Sequence, residues 1–124
     1  MILGTGIDML RVERMERALD RWGDRILHRV FTREEAAYCE RRKRKAQSYA
    51  GRFAAKEAVM KALGTGWRGG VRFRDIEVVR RGGPPTIELH GLVADLARER
   101  GVRRLHLSLT HEGGYSMAQV ILEG

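Results

Sequence analysis

Cysteine is almost absent from this chain of 124 residues: Cys39 stands alone. That excludes an intrachain disulfide and a cysteine-based zinc cluster, and it fits a reducing compartment. Aromatic residues are scarce too, at 6%, with no stacking motif among them, which argues against a surface that reads unpaired bases. Long apolar runs are missing. No stretch approaches the roughly 20 residues that span a bilayer. The opening Met-Ile-Leu-Gly-Thr-Gly has neither a basic leader nor an extended apolar segment, so the expected address is the cytoplasm, with no membrane contact. Acidic charge is the minority sign, 16 Asp and Glu against 24 Lys and Arg for a net charge of +8. An anionic partner is therefore expected, and nucleic acid, a phosphorylated cofactor or an acidic protein would each suit it. With 43% hydrophobic residues, this length predicts one compact domain over residues 1–124 with a single core.

The pattern along the chain predicts an α+β protein. Met1 to Ile7 reads as a short buried strand whose glycines let another backbone approach closely, ending where it presents Asp8. From about Met9 to Trp22 the periodicity turns helical, with Leu10, Met15 or Ala18, and Leu19 inward and Arg14, Arg17, Arg21 and Arg25 in a rough stripe outside. Thr32-Arg33-Glu34-Glu35 is a capping box, so a helix should run from Thr32 as N-cap to about Arg42, with Phe31 stapled against Ala36. After the basic run Arg41 to Lys45, a long helix should extend from about Ala46 to Leu63 and stop at Gly64. Val71 to Arg80 and Thr86 to Leu89 read as a hairpin with Ile76 and Val78 on one face, and Gly91 to Arg100 as a short amphipathic helix. Leu105, Leu107 and Leu109 alternate with polar residues before a Gly113-Gly114 turn leads into a last strand from Tyr115 to Leu122.

Two acids stand in apolar settings. On a helical wheel Glu57 falls between Phe53 and Met60 on one side and Ala54 and Lys61 on the other, so it should be half-buried. Removing an ionised carboxylate from water costs several kcal/mol even after relaxation, so Glu57 needs a cation, a metal or a raised pKa. Asp8 lies in a second apolar setting, Gly6-Ile7-Asp8-Met9-Leu10. Together the two suggest a Mg2+ site, since Mg2+ takes one or two carboxylates and completes its shell with water and phosphate oxygens. The plainer reading makes Asp8 a helix N-cap and pairs Glu57 with Lys61. Lys56, Lys61 and the Arg41 to Lys45 run are candidates for neutralising phosphates. Gly64-Thr65-Gly66 follows its helix rather than preceding it, so it reads as a stop signal and not as a phosphate loop. His111, beside a Gly-Gly turn, sits where side chains reach ligands, and Cys39 reads as a small core residue.

In combination, three blocks resemble the holo-acyl-carrier-protein synthases, the small bacterial type of 4′-phosphopantetheinyl transferase. They are Gly6-Ile7-Asp8 with Arg14 following, Phe53-Ala54-Ala55-Lys56-Glu57-Ala58 running into Lys61-Ala62-Leu63-Gly64-Thr65-Gly66, and Ser108-Leu109-Thr110-His111. The Phe31 to Glu35 segment with Tyr38 and Cys39 is similar as well, so the resemblance spans essentially the whole chain. It implies a mostly antiparallel sheet packed against a long central helix and shorter helices, in trimers with active sites between subunits. The implied reaction moves the 4′-phosphopantetheine arm of coenzyme A to a serine of apo acyl carrier protein, releases adenosine 3′,5′-bisphosphate and serves fatty acid biosynthesis. Mg2+ is expected on Asp8 and Glu57, with Lys61 beside them as a third catalytic group. Arg44, Lys45, Arg52, Lys61, Gly64 and His111 are the expected coenzyme A contacts, with Arg44, Lys45 and His111 at its phosphates. Arg14, Arg21 and Arg25 are expected to meet the acidic carrier protein. The serine proton is expected to pass to Glu57 or to a water at the metal, the water being favoured because a ligating carboxylate is a weakened base. Departures are small: Thr110 stands where serine is commoner, and Arg11 and Trp67 fall where the family varies. A small nucleic-acid-binding module and a non-catalytic subunit are the competing expectations, and two acids in apolar surroundings have no task in the first of these.

Overall fold

The computed structural model of the chain describes residues 1–66 and 69–124, so Trp67 lies outside the described residues. The order of elements is β1 (Ile2–Arg11), α1 (Val12–Trp22), α2 (Asp24–Val30), α3 (Arg33–Glu40) and α4 (Lys45–Leu63). A 3-10 turn (Phe73–Asp75), β2 (Ile76–Val79), β3 (Thr86–Leu89), α5 (Gly91–Glu99), β4 (Arg104–Glu112) and β5 (Tyr115–Glu123) follow. Two antiparallel sheets result, one of three strands in the order β1-β5-β4 and one a β2-β3 hairpin. This is the expected α+β arrangement. No helix among the described residues is long and apolar enough to cross a membrane.

The central element is α4, and its composition explains why. Ala50, Ala54, Ala55, Ala58 and Ala62 are strong helix formers with little bulk. The helix can therefore be buried on most of its surface, and all five are buried. Gly64 ends it in the left-handed conformation, φ 74° and ψ 18°. Its N–H donates to the Lys61 carbonyl and that of Thr65 to the Met60 carbonyl, a Schellman closure that satisfies two orphan carbonyls.

Gly4 and Gly6 set how β1 meets this helix. A Cβ at Gly6 would lie 1.9 Å from the Ala58 carbonyl oxygen, and one at Gly4 would lie 2.3 Å from that of Ala62. Two strand residues advance about 6.6 Å and four helix residues about 6 Å, so the two contacts repeat in step along both backbones. Asp8 is next on the same strand face, brought against α4 by the two bare positions before it.

Several expectations need correction. The first strand does not stop at Asp8. It continues to Arg11 because β5 supplies partners for the whole length, Asp8 opposite Ala118 and Arg11 opposite Tyr115. Asp8 therefore is no N-cap; Arg11 holds that position on α1 without a side-chain bond. Nor is β1 wholly buried: Ile7 is 54% and Met9 49% exposed on the face turned away from α4. The arginine stripe is interrupted, since the chain breaks at Gly23 (φ 45°) and Arg25 belongs to α2. The hairpin strand expected from Val71 begins only at Ile76, because β3 offers four partners and no more. His111 and Glu112 belong to β4, and the turn is Gly113-Gly114 alone.

Other local signals hold. Thr32 accepts from the Glu35 N–H at 3.1 Å while Glu35 accepts from the Thr32 N–H at 2.9 Å, the reciprocal capping box. Phe31 and Ala36 share an apolar cluster with Tyr49, Val30 and the buried Cys39. Leu105, Leu107 and Leu109 pack on the cluster around α4.

Candidate functional site

Asp8, Glu57 and Lys61 meet where β1 crosses the second half of α4. Lys61 Nζ donates to Asp8 Oδ1 at 2.9 Å and to the Ile7 carbonyl oxygen at 2.9 Å. Glu57 sits one helical turn before Lys61, half-buried. Its carboxyl is pushed above the ordinary range by desolvation first and by the neighbouring Asp8 charge second, with Lys61 opposing. A carboxyl whose ionisation is opposed by the charge of Asp8, with the Lys61 ammonium already at Asp8, forms a place built for positive charge. Two acids, both partly buried and neither held by an arginine fork, suit Mg2+, which needs few carboxylates. The plain reading that paired Lys61 with Glu57 is thus replaced: the direct ion pair is with Asp8.

Lys56 differs from Lys61 in kind. Its ammonium is fully buried and donates to Glu35 Oε1 at 2.7 Å, to the Phe73 carbonyl at 3.1 Å and to the Ile76 carbonyl, which uses all three of its hydrogens. The expectation that Lys56 neutralises phosphate is overturned, because no ligand can reach it. Glu35 in turn accepts from the Val78 N–H at 2.8 Å. The pair ties α3, α4 and β2 together.

A second region gathers around the start of α4. A cavity of about 600 Å³ is lined by Tyr38, Arg42, Arg44, Ser48, Arg52 and His111 among others. Beside it, one of about 1200 Å³ has Arg44, Lys45 and His111 in its wall. Arg52 is buried, donates from Nη1 to Ser48 Oγ at 3.1 Å, and stacks 4.1 Å from the Tyr38 ring centroid. Its Nε, also buried, has no hydrogen-bond partner. Lys45 reaches Glu40 at 3.3 Å at the surface. His111 donates or accepts through Nδ1 at 2.8 Å from Ser116 Oγ. Burial first, then the Arg52 charge, holds its imidazole below the ordinary histidine value.

The sequence-predicted residues therefore fall into separate groups. Asp8, Glu57 and Lys61 are together, and Arg44, Lys45, Arg52 and His111 are together, but neither acid lines either cavity. Gly51, against which His111 packs, precedes Glu57 by about 9 Å along α4. Charge and perturbed titration converge at the acid pair and not at the larger cavity. Gly64 lines neither cavity and acts as the helix stop. Arg14, Arg21 and Arg25 are exposed on α1 and α2, with the Arg21 guanidinium 5.0 Å from the Trp22 ring centroid. Ser116 had no signal in the sequence, since one serine in an alternating strand looks like any other.

Glu77, Glu88 and His90 on the β2-β3 hairpin also bring three ligand atoms within 4.8 Å of one another. Each already has a partner: Glu77 takes the Thr32 hydroxyl at 2.7 Å and His90 at 2.9 Å, and Glu88 takes Arg81 at 2.6 Å. These ligand atoms are already engaged in a hydrogen-bonded network, apart from the predicted acids.

Comparison with known proteins meets this geometry. Residues 4–120 match the family model described as the 4′-phosphopantetheinyl transferase superfamily. A holo-[acyl-carrier-protein] synthase of Solibacter usitatus is 52% identical over 124 residues, covering 99% of each chain. The crystal structure of the holo-[acyl-carrier-protein] synthase from Neisseria meningitidis superposes with a TM-score of 0.91 at 34% identity, covering 100% of both chains. That of the Helicobacter pylori synthase in complex with coenzyme A gives 0.84 at 29% identity, covering 96% of this chain and 99% of that one.

Proposed function

Because the chain belongs to the 4′-phosphopantetheinyl transferase superfamily and is a transferase, we propose that it transfers the 4′-phosphopantetheine arm of coenzyme A to a serine of apo acyl carrier protein. The products are holo acyl carrier protein and adenosine 3′,5′-bisphosphate, and the role is in fatty acid biosynthesis in the cytoplasm. The observation that carries this reading is that Asp8 and Glu57, far apart in sequence, are close enough for one charge to raise the pKa of the other. Residues 1–124 act as one catalytic domain.

Asp8 and Glu57 would hold Mg2+, which when bound offsets charge on the pyrophosphate. The serine hydroxyl gives up its proton to Glu57 or to water as its oxygen forms a bond to the phosphorus of the pantetheine phosphate, and the bond from that phosphorus to the bridging oxygen breaks so that this oxygen leaves with the nucleotide. Lys61, 54% exposed at its side chain and anchored on Asp8 and the Ile7 carbonyl, points an ammonium at the same place and stabilises negative charge on the transferred group. Arg44, Lys45 and Arg52 hold the nucleotide end, with His111 contacting the same substrate. Arg52 is the most buried of these, and Tyr38 and Ser48 fix its plane. Positioning of the two ends is the main contribution, as expected where a long substrate must lie in line for attack. Arg14, Arg21 and Arg25 attract the acidic carrier protein.

A trimer with sites between subunits would cover what the single chain leaves open. Ile7 and Met9 stand exposed on the outer face of the three-stranded sheet, beside Gln119 and Met117 of β5. The decisive assay is mass spectrometry of an apo carrier protein incubated with this chain, coenzyme A and Mg2+. The gain of one phosphopantetheine arm, lost on chelation, is the expected result, and an unmodified carrier would sink the proposal.

A further inference from the structure

The last four carbonyls of α4, those of Met60 to Leu63, have no partner within their own helix. The closure at Gly64 serves Met60 and Lys61. Ala62 and Leu63 are met from another element, for Arg100 Nη1 donates to the Leu63 carbonyl at 2.6 Å and to that of Ala62 at 3.3 Å. Arg100 is the C-cap of α5, so its charge stands at the negative ends of two helices.

The same guanidinium also reaches β1. Its Nη2 donates to the Leu3 carbonyl at 3.0 Å, where pairing with β5 passes from Ile2 opposite Glu123 to Gly4 opposite Leu122 and skips Leu3. Leu3 is thus a bulged residue. The Ala62 oxygen that Arg100 holds is the one that a Cβ at Gly4 would strike. One planar fork therefore joins both backbones at the point where they touch.

The other end of this seam has its own cation, since Lys61 donates to the Ile7 carbonyl and to Asp8. Leu3 and Ile7 stand about 13 Å apart along the strand, so β1 is pinned to α4 at two places with Gly4 and Gly6 between them. Bare glycines let the backbones approach but offer no side chain that would lock one against sliding on the other. A strand held at Ile7 alone could pivot there.

We propose that Arg100 is a positioning residue that fixes how β1 lies along α4 and so sets the separation of Asp8 from Glu57 for a divalent cation. It acts through the two backbones and touches neither acid. The inference rests on the transferase reading of the acid pair.

The test titrates Mg2+ into wild type, Arg100→Ala and Val93→Ala, followed by differential scanning fluorimetry. Val93 is buried on the same α5, and truncating it loosens that helix without removing a bond to either backbone. The Mg2+ concentration giving half of the Tm rise should be about tenfold higher in Arg100→Ala, the effect of losing a partner one shell from a metal. In Val93→Ala it should stay at the wild-type value. Below the melting temperature, kcat of Arg100→Ala should fall about tenfold as well, with KM for the carrier protein unchanged. A wild-type Mg2+ response in Arg100→Ala overturns the proposal, as does an equal shift in Val93→Ala, which would make Arg100 a stabilising residue only. Should Arg100→Ala not fold, Arg100→Lys decides, since an ammonium keeps the charge at the helix ends and loses the fork. A raised Mg2+ requirement there supports the proposal, and an unchanged one overturns it. Failure of the transferase reading would show separately, in a wild-type chain that leaves the carrier protein unmodified.

Discussion

Lys61 and Asp8, 53 residues apart in sequence, lie with Nζ 2.9 Å from Oδ1, and the same ammonium caps the Ile7 carbonyl. The contact joins the strand that carries one acid to the helix that carries the other. It holds Asp8 beside Glu57 with a positive charge already in place.

Asp8→Asn and Glu57→Gln should each lower transferase activity by at least about 100-fold, since even partners one shell removed from a metal cost 10–100-fold. Mg2+ at 100 times its Kd should stabilise the wild-type fold by about 2.7 kcal/mol and neither variant by a comparable amount. Differential scanning fluorimetry with and without the ion reads this, and equal shifts in all three proteins would remove the metal assignment.

Glu57 also gives a pH dependence of definite sign. Its folded-state pKa lies above the ordinary carboxylate value, so the folded chain binds this proton more tightly than the unfolded chain. The stability it contributes is complete below the unfolded pKa and is lost as pH rises through the raised folded value. In chelator at neutral pH, Glu57→Gln should therefore melt above wild type while remaining inactive. A lower Tm would show that Glu57 stabilises the fold as an anion. Activity should fall on the acid side as Glu57 gains its proton.

Lys56→Ala should cost about 3–5 kcal/mol, because it leaves the buried Glu35 charge without its partner. Urea unfolding measures it. A loss below 1 kcal/mol would mean that water reaches Glu35 in the variant.

Gly6→Ala places a methyl 1.9 Å from the Ala58 carbonyl oxygen, which neither backbone can vacate cheaply. Gly6 needs no left-handed backbone, so the penalty is steric, about 3 kcal/mol. The strand must lift from α4, and affinity for Mg2+ should fall together with stability. Retained metal affinity in a destabilised variant would separate the acid pair from this contact.

Arg14→Glu should raise KM for the carrier protein severalfold and flatten the salt dependence of kcat/KM, leaving kcat unchanged. An unaltered KM at low salt would place the docking surface elsewhere.

Much of the fold was legible because its signals are local. Thr32 and Glu35 define a helix start within four residues, and Gly64 defines a stop with its own backbone. The alternation of Leu105, Leu107 and Leu109 gives a strand by itself. The half-buried setting of Glu57 followed from its neighbours on one helix. The length of β1 did not follow, because residues 9–11 carry a helical period that pairing with β5 overrides. The shortness of β2 was hidden for the same reason, being set by its partner.

The sequence alone determined the middle of most helices and strands, that the chain is basic, and that two acids stand among apolar residues, since these depend on propensity, capping and composition over a few positions. Tertiary structure alone decided that Lys56 is buried against Glu35 while Lys61, five residues later, reaches Asp8 at the surface. It also decided that Ser116 holds His111. The physical reason is range: local rules reach one or two turns, whereas a partner across the chain is chosen by which backbones can touch, here where Gly4 and Gly6 admit α4.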